Sequence, residues 1–176
     1  SNRALPSYDN PVFDLSVGGI GNMLSWTYYF FKDSFDKIDP EISRRLRHEL
    51  QVRILDTYLN DDSFWWMARG SHYKRERLLN NWNPWCNSNA LIAFMLLENN
   101  RDTLAKAVYM TMESVDEFLN YIKADGACEE GPSYWGHAPG KTLDYLEMLS
   151  VITGGKVNIF AEPMIKSMGE YISRSY

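Results

Sequence analysis

Long runs of any one kind are what this chain lacks. No apolar stretch approaches the ~20 residues that a membrane-spanning helix needs, so no segment reads as a membrane span. No secretory leader is visible. Ser1-Asn2 reads as a remnant of expression cloning, which leaves export open. Basic blocks are also missing. Lys and Arg total 18 against 23 Asp and Glu, a net charge of -5, and that balance argues against nucleic acid as a partner. The one local exception is Arg69 to Arg77, Arg-Gly-Ser-His-Tyr-Lys-Arg-Glu-Arg. It reads either as a solvated loop or as a contact for an anionic sugar through His72 and Arg75. Cysteine is scarce too. Two residues, Cys86 and Cys128, do not make a disulfide framework. Each falls in a polar stretch beside a helix, and they read as free thiols, with a bridge open to them in an oxidising compartment.

What the chain has in quantity is apolar and aromatic surface. Its 176 residues are the size of one ordinary domain, 45% of them are hydrophobic, and the mean hydropathy is -0.38. Aromatics reach 14%, with 6 Trp and 11 Tyr, which suggests a binding surface beyond the core. The densest stretch is Asn80-Asn81-Trp82-Asn83-Pro84-Trp85-Cys86-Asn87-Ser88-Asn89, with five asparagines and two tryptophans ahead of an apolar run from Ala90 to Leu97. Buried amides are costly unless hydrogen-bonded, and one Asn suffices to start a helix. Flat aromatic faces beside neutral amides suit a sugar, so Trp82, Trp85 and Asn87 are candidate contacts.

The pattern is helical almost throughout. A first helix is expected over 13–31, where Gly18, Gly19 and Gly21 either weaken it or allow close packing. Asp39-Pro40-Glu41 is a strong start signal for a second helix to about Leu59, with Ile42, Leu46, Leu50, Ile54 and Tyr58 at four-residue intervals. After a long connection, Asn83-Pro84 restarts a helix to about Glu98, with Asn83 as its cap. Asp102 can cap the next, through about Ile122. Further helices are expected over about 141–153, stopped by Gly154-Gly155, and about 159–173. The result is an all-α chain of three antiparallel helical hairpins. The long connections 60–83 and 123–140 both follow even-numbered helices, which puts them on one face, and loops of that length are usually functional.

The second connection reads Asp125-Gly126-Ala127-Cys128-Glu129-Glu130-Gly131-Pro132-Ser133-Tyr134-Trp135-Gly136-His137. Tyr and His are general acid/base residues, and the glycines and proline fix the backbone between them. A tight capped turn with an aromatic packing contact is the plainer reading. His48, mid-helix among charges, reads as solvated. His137 with Glu129 or Glu130 matches no metal-ligand spacing.

Together, Asn-Asn-Trp-Asn-Pro-Trp-Cys-Asn before an apolar helix and Asp-Gly-Ala-Cys-Glu-Glu-Gly-Pro-Ser-Tyr-Trp-Gly about forty residues later resemble the heparinase II/III-like polysaccharide lyases, best over residues 78–150. The resemblance implies that the hairpins form part of an (α/α) toroid. It also implies β-elimination on a uronate-containing, acidic polysaccharide or oligosaccharide, no cofactor, and a periplasmic or secreted location. The family's C-terminal β-sandwich has no counterpart here, so the chain reads as a piece of a longer protein. By position, Asn81 becomes the carboxylate-neutralising amide and Tyr134 the catalytic tyrosine, with His137 a further catalytic candidate. Glu130 and Trp135 join the substrate contacts. Many members carry His where this chain has Trp82. Two other readings stand beside this one. The first is an α/α-toroid glycoside hydrolase using Asp125, Glu129, Glu130 or Asp144. The second is a non-catalytic glycan-binding or scaffold module.

Overall fold

The computed structural model describes residues 11–70, 73 and 79–175. Among the described residues every regular element is helical: α1 (Leu15–Ile38), α2 (Pro40–Leu50), a π-helical segment (Gln51–Leu55), α3 (Asp56–Asn60), α4 (Trp82–Leu97), α5 (Arg101–Tyr121), α6 (Pro139–Ile152) and α7 (Pro163–Arg174). The all-α expectation therefore holds. No described helix is long and apolar enough to cross a membrane.

Local chemistry accounts for most boundaries. Asp14 caps α1 by accepting from the Val17 N–H. The helix runs seven residues past the expected Phe31, because Lys32 and Asp36 pair at 2.6 Å across one turn and nothing breaks it before Asp39. Asp39 then caps α2 through the Glu41 N–H, with Pro40 at the first position. The π segment joins α2 to α3 without a break, so the expected second helix is continuous but irregular. Ile42, expected on its apolar face, is exposed. Asn100, rather than Asp102, caps α5, accepting from both Asp102 and Thr103 N–H at 3.0 Å. Helix α7 starts at Pro163, a few residues later than expected.

Helix α4 is the wall between two apolar clusters. Its Cys86, Ala90, Ala93, Phe94 and Leu97 join Phe13, Leu50, Leu55, Tyr58 and Trp66 on one side. Its Leu91 joins Val115, Phe118, Tyr145, Leu149 and Met168 on the other. Helices α1, α5 and α6 all pack against it. Both cysteines are free. Cys86 lies in the first cluster and Cys128 in the second. Burial raises both thiols above their ordinary value, which keeps them protonated and unreactive.

Two glycines decide close approaches. A Cβ on Gly21 would lie 2.5 Å from Ile54 Cδ1, so the helix-packing reading of the α1 glycines is correct at that position. Gly126, at φ +83°, would place a Cβ 2.3 Å from the Ser167 carbonyl carbon of α7. Backbone strain and a backbone clash then act together. Gly126→Ala is expected to lower the Tm by roughly 5–10 °C. Gly19→Ala, where nothing lies within 4 Å, should be neutral or raise it by a few degrees. Differential scanning calorimetry of the two variants checks the contrast.

Candidate functional site

The asparagine-rich stretch divides into two groups with different work. Asn83 and Asn87, four residues apart, share one face of α4 and are fully buried. The Asn83 amide donates to the Trp66 carbonyl at 2.8 Å and to the Ser114 carbonyl at 2.9 Å. The Asn87 amide donates to the Asn83 carbonyl and to Ser114 Oγ, both at 2.8 Å, while its oxygen accepts from Tyr58 OH at 2.6 Å. Asn89 accepts from the Asn22 amide of α1 at 2.7 Å. These three side chains are bolts between α4 and its neighbours. Asn87, expected as a substrate contact, cannot reach a ligand because it is enclosed and its amide is already engaged. Asn83 is not the helix cap. The helix begins at Trp82, two residues earlier than expected, and the Asn80 side chain accepts from the Trp82 N–H at 3.1 Å. Pro84 sits in the first turn, where its missing N–H costs nothing.

Asn80 and Asn81 lead into the buried run, Asn81 already buried at 5% exposure, and the Asn81 main chain meets the second long connection. That connection is strapped down. Trp135 Nε1 donates to the Met168 carbonyl at 2.9 Å. Arg174 donates to the Asp125 carbonyl at 2.8 Å and the Ser167 carbonyl at 3.0 Å. Trp135, expected as a sugar contact, is thereby an anchor to α7, with its indole N–H used inside the protein. Held this way, the 3-10 turn Pro132–His137 brings its side chains to the start of α4.

The two connections meet there. Glu130 Oε2 accepts from the Asn81 backbone N–H at 2.7 Å, a carboxylate at a helix N-terminus where the dipole favours it. The His137 ring lies 4.9 Å from the Trp85 ring and 5.7 Å from the Tyr134 ring. Lys141 Nζ stands 5.9 Å from the Trp85 ring centroid. Tyr134 is 49% exposed and His137 is also exposed, so the cluster opens to solvent. Trp85 Nε1, by contrast, is buried and has no hydrogen-bond partner among the described residues. Burial raises the Glu130 carboxyl above its ordinary value. The Asn81 N–H pulls it down, Glu129 raises it, and His137 lowers it. A carboxyl that holds its proton more tightly than usual, a phenol, an imidazole and an ammonium thus share one patch that opens to solvent, joined through Glu130 to Asn81, which is itself buried.

No protein-family model matches the chain, and no curated protein matches it in sequence. The site therefore stands on its own geometry. Of the expected site residues, the structure gathers Asn81, Glu130, Tyr134, His137 and Trp85. Trp82 is turned aside, its ring 5.4 Å from that of Trp65 at the edge of the first apolar cluster. His72 and Arg75 lie outside the described residues. Lys141 was missed by sequence reasoning, and so were Tyr58 and Ser114 as partners of the amides. The four-residue spacing of Asn83 and Asn87 inside an apolar helix was the available signal for the latter. Among the described residues no group of three His, Cys, Asp or Glu side chains is arranged to hold a metal ion.

The two groups of asparagines should separate experimentally. Asn87→Ala leaves Tyr58 OH without its acceptor and Ser114 Oγ with only the Asn83 amide at 3.2 Å, at an expected cost of about 2–4 kcal/mol. Asn81→Ala, which keeps the main-chain bond to Glu130, should cost less than Asn87→Ala. Urea denaturation of both variants checks this. Glu130 adds a pH signature. Its folded pKa lies above the ordinary 4.5, so its contribution to stability is fully present below that value and is lost as pH rises through the raised folded value. Glu130→Gln should flatten the decline in stability above pH 4.5, as read from a denaturation series across pH.

Proposed function

We propose that this chain is part of a polysaccharide lyase-like protein that cleaves an acidic, uronate-containing polysaccharide by β-elimination, its hairpins forming part of an (α/α) toroid. A periplasmic or secreted location goes with that reading. The observation that supports it most is the meeting of the two resembling motifs. Asn81 and Glu130 are joined at 2.7 Å, and Tyr134 and His137 stand together beside Trp85.

The chemistry has three requirements. The uronate carboxylate must be neutralised so that the C5 proton becomes acidic. The Asn81 carboxamide supplies a hydrogen-bond donor for that charge, with Glu130 holding the Asn81 main chain in place. A base must take the C5 proton, and an acid must give one to the departing O4 oxygen. Tyr134 and His137 are the groups for these transfers. The C5–H electron pair becomes the C4–C5 double bond, the C4–O4 bond breaks, and O4 leaves protonated. Trp85 offers a ring face to the sugar, and Lys141 offers a cation to its carboxylate.

The hydrolase reading fits less well. Asp125 is bound to the Ala127 N–H at 3.0 Å, Glu129 to Tyr121 OH at 2.6 Å, and Asp144 to Lys141 at 2.8 Å. Each of these carboxylates is engaged in a local contact, and Glu130, the fourth candidate, accepts from the Asn81 N–H. A non-catalytic glycan-binding module is the second reading. It is favoured by Trp82 packing on Trp65 at the position where many lyases of the resembling family place a histidine.

Elimination creates an unsaturated sugar that absorbs in the ultraviolet, and hydrolysis does not. The intact protein should raise ultraviolet absorbance on at least one uronate polymer. Tyr134→Phe should lower kcat by about 10²–10⁴-fold while leaving polymer binding within about twofold. Binding without any absorbance change in the unsubstituted protein establishes the non-catalytic module instead.

A further inference from the structure

A second concavity lies away from the Asn81–His137 cluster. It is a cleft of about 460 Å³ between the segment that ends α3 and one face of α5, and Asn60, Asp62, Arg69, Lys106, Tyr109 and Met110 line it. Backbone irregularity converges on it. The π-helical segment Gln51–Leu55 leads into the short helix that ends at Asn60, and π segments are frequent at functional positions. Arg69 sits between Ala68 at φ 53° and Gly70 at φ 74°. Ala68 is a non-glycine residue in the left-handed region, a conformation retained where its surroundings demand it.

The side chains form a consistent set. Arg69 is steered by Glu113, Nη2 to Oε2 at 2.7 Å, while its Nη1 is buried without an acceptor among the described residues. Lys106 has no ion-pair partner among the described residues. Arg69, paired with Glu113, and Lys106 thus bring two cations to a cleft that also holds the Asp62 carboxylate. Asn60 and the Asp62 carboxylate offer acceptors for hydroxyls, and Tyr109, 60% exposed, offers a flat apolar face. A carboxylate, several hydroxyls and an apolar ring face on one small body describe an acidic monosaccharide unit.

We propose that this cleft is a binding site for a uronate sugar, separate from the patch at the start of α4. It is drawn from the cleft's own chemistry and does not depend on the lyase reading. Nitrogen-15 NMR titration of the intact chain with glucuronate tests it, with glucose and sodium sulfate as parallel arms and chloride as the ionic-strength control. Saturable shifts are expected at residues 59–62 and 106–110. Glucose and sulfate should each bind at least about tenfold more weakly, because each lacks one half of the set. Lys106→Ala should weaken glucuronate about tenfold and Tyr109→Ala about fivefold, with unchanged Tm for both surface variants. Equal binding of sulfate would reduce the site to an oxyanion pocket and overturn the sugar assignment. Equal binding of glucose, no saturable shift, shifts confined to the Asn81–His137 patch, or unaltered affinity in Lys106→Ala would also overturn it. Because the readout is monosaccharide binding, it is independent of whether the protein turns over polymer.

Discussion

Everything around helix α4 depends on a requirement that buried amides be hydrogen-bonded. Asn83 and Asn87 lie at the centre of an otherwise apolar molecule, where an unpaired amide group costs about 1–3 kcal/mol. Their N–H groups and the Asn87 oxygen meet that requirement by reaching outwards, Asn83 to the Trp66 carbonyl and to Ser114 of α5, Asn87 to Tyr58 of α3 and again to Ser114, while Asn83 Oδ1 is buried without a partner among the described residues. Apolar contacts alone tolerate sliding, because they have no direction. These bonds are directional, so they fix the rotation and height of α4 against three neighbouring segments. Trp66 is held in turn by its indole N–H on the Phe13 carbonyl at 2.9 Å, which carries the constraint to the chain ahead of α1.

The position of the candidate site follows from that constraint. With α4 immobilised, its first turn presents Asn81 and Trp85 at a defined place. The second connection is held by a different set of contacts, to α7 through Trp135, Arg174 and the close approach of Gly126. The carboxylate of Glu130 on the Asn81 N–H joins the two systems. Tyr134 and His137 are thus carried on a segment whose both ends are anchored. That is the preorganisation a chemical site needs, achieved with residues that never touch a ligand.

Much of the helical plan was legible because its signals are local. Asp39-Pro40-Glu41 begins α2 where expected, since a cap and a preset φ act within one turn. The start of α4, expected at Pro84 and found at Trp82, was misjudged by two residues for a related reason. Asn80 and Asn83 are equally good caps in isolation, and only the burial of Asn83 against Ser114 distinguishes them. The aromatic residues divided in the same way. Trp85, Trp82 and Trp135 are equivalent as letters, yet one borders the cluster, one packs on Trp65 and one hydrogen-bonds to α7. Of the cleft at Arg69 and Lys106 only Arg69, the first residue of the basic stretch, left a signal, because its members come from three separated segments.

The sequence by itself determined the all-α character, the number of long helices, the absence of a membrane-spanning helix among the described residues, and the two polar connections where Asn81, Glu130, Tyr134 and His137 reside. Those properties arise from hydrophobic period, capping chemistry and turn residues, all of which operate over a few neighbouring positions. Only the tertiary structure decided which asparagines bolt α4 to its neighbours, which tryptophan faces the cluster, and that the two cysteines belong to opposite halves of the core. The physical reason is that a polar side chain's role is set by its partner, and these partners lie 27 residues away for Asn87 and Ser114 and 49 for Asn81 and Glu130.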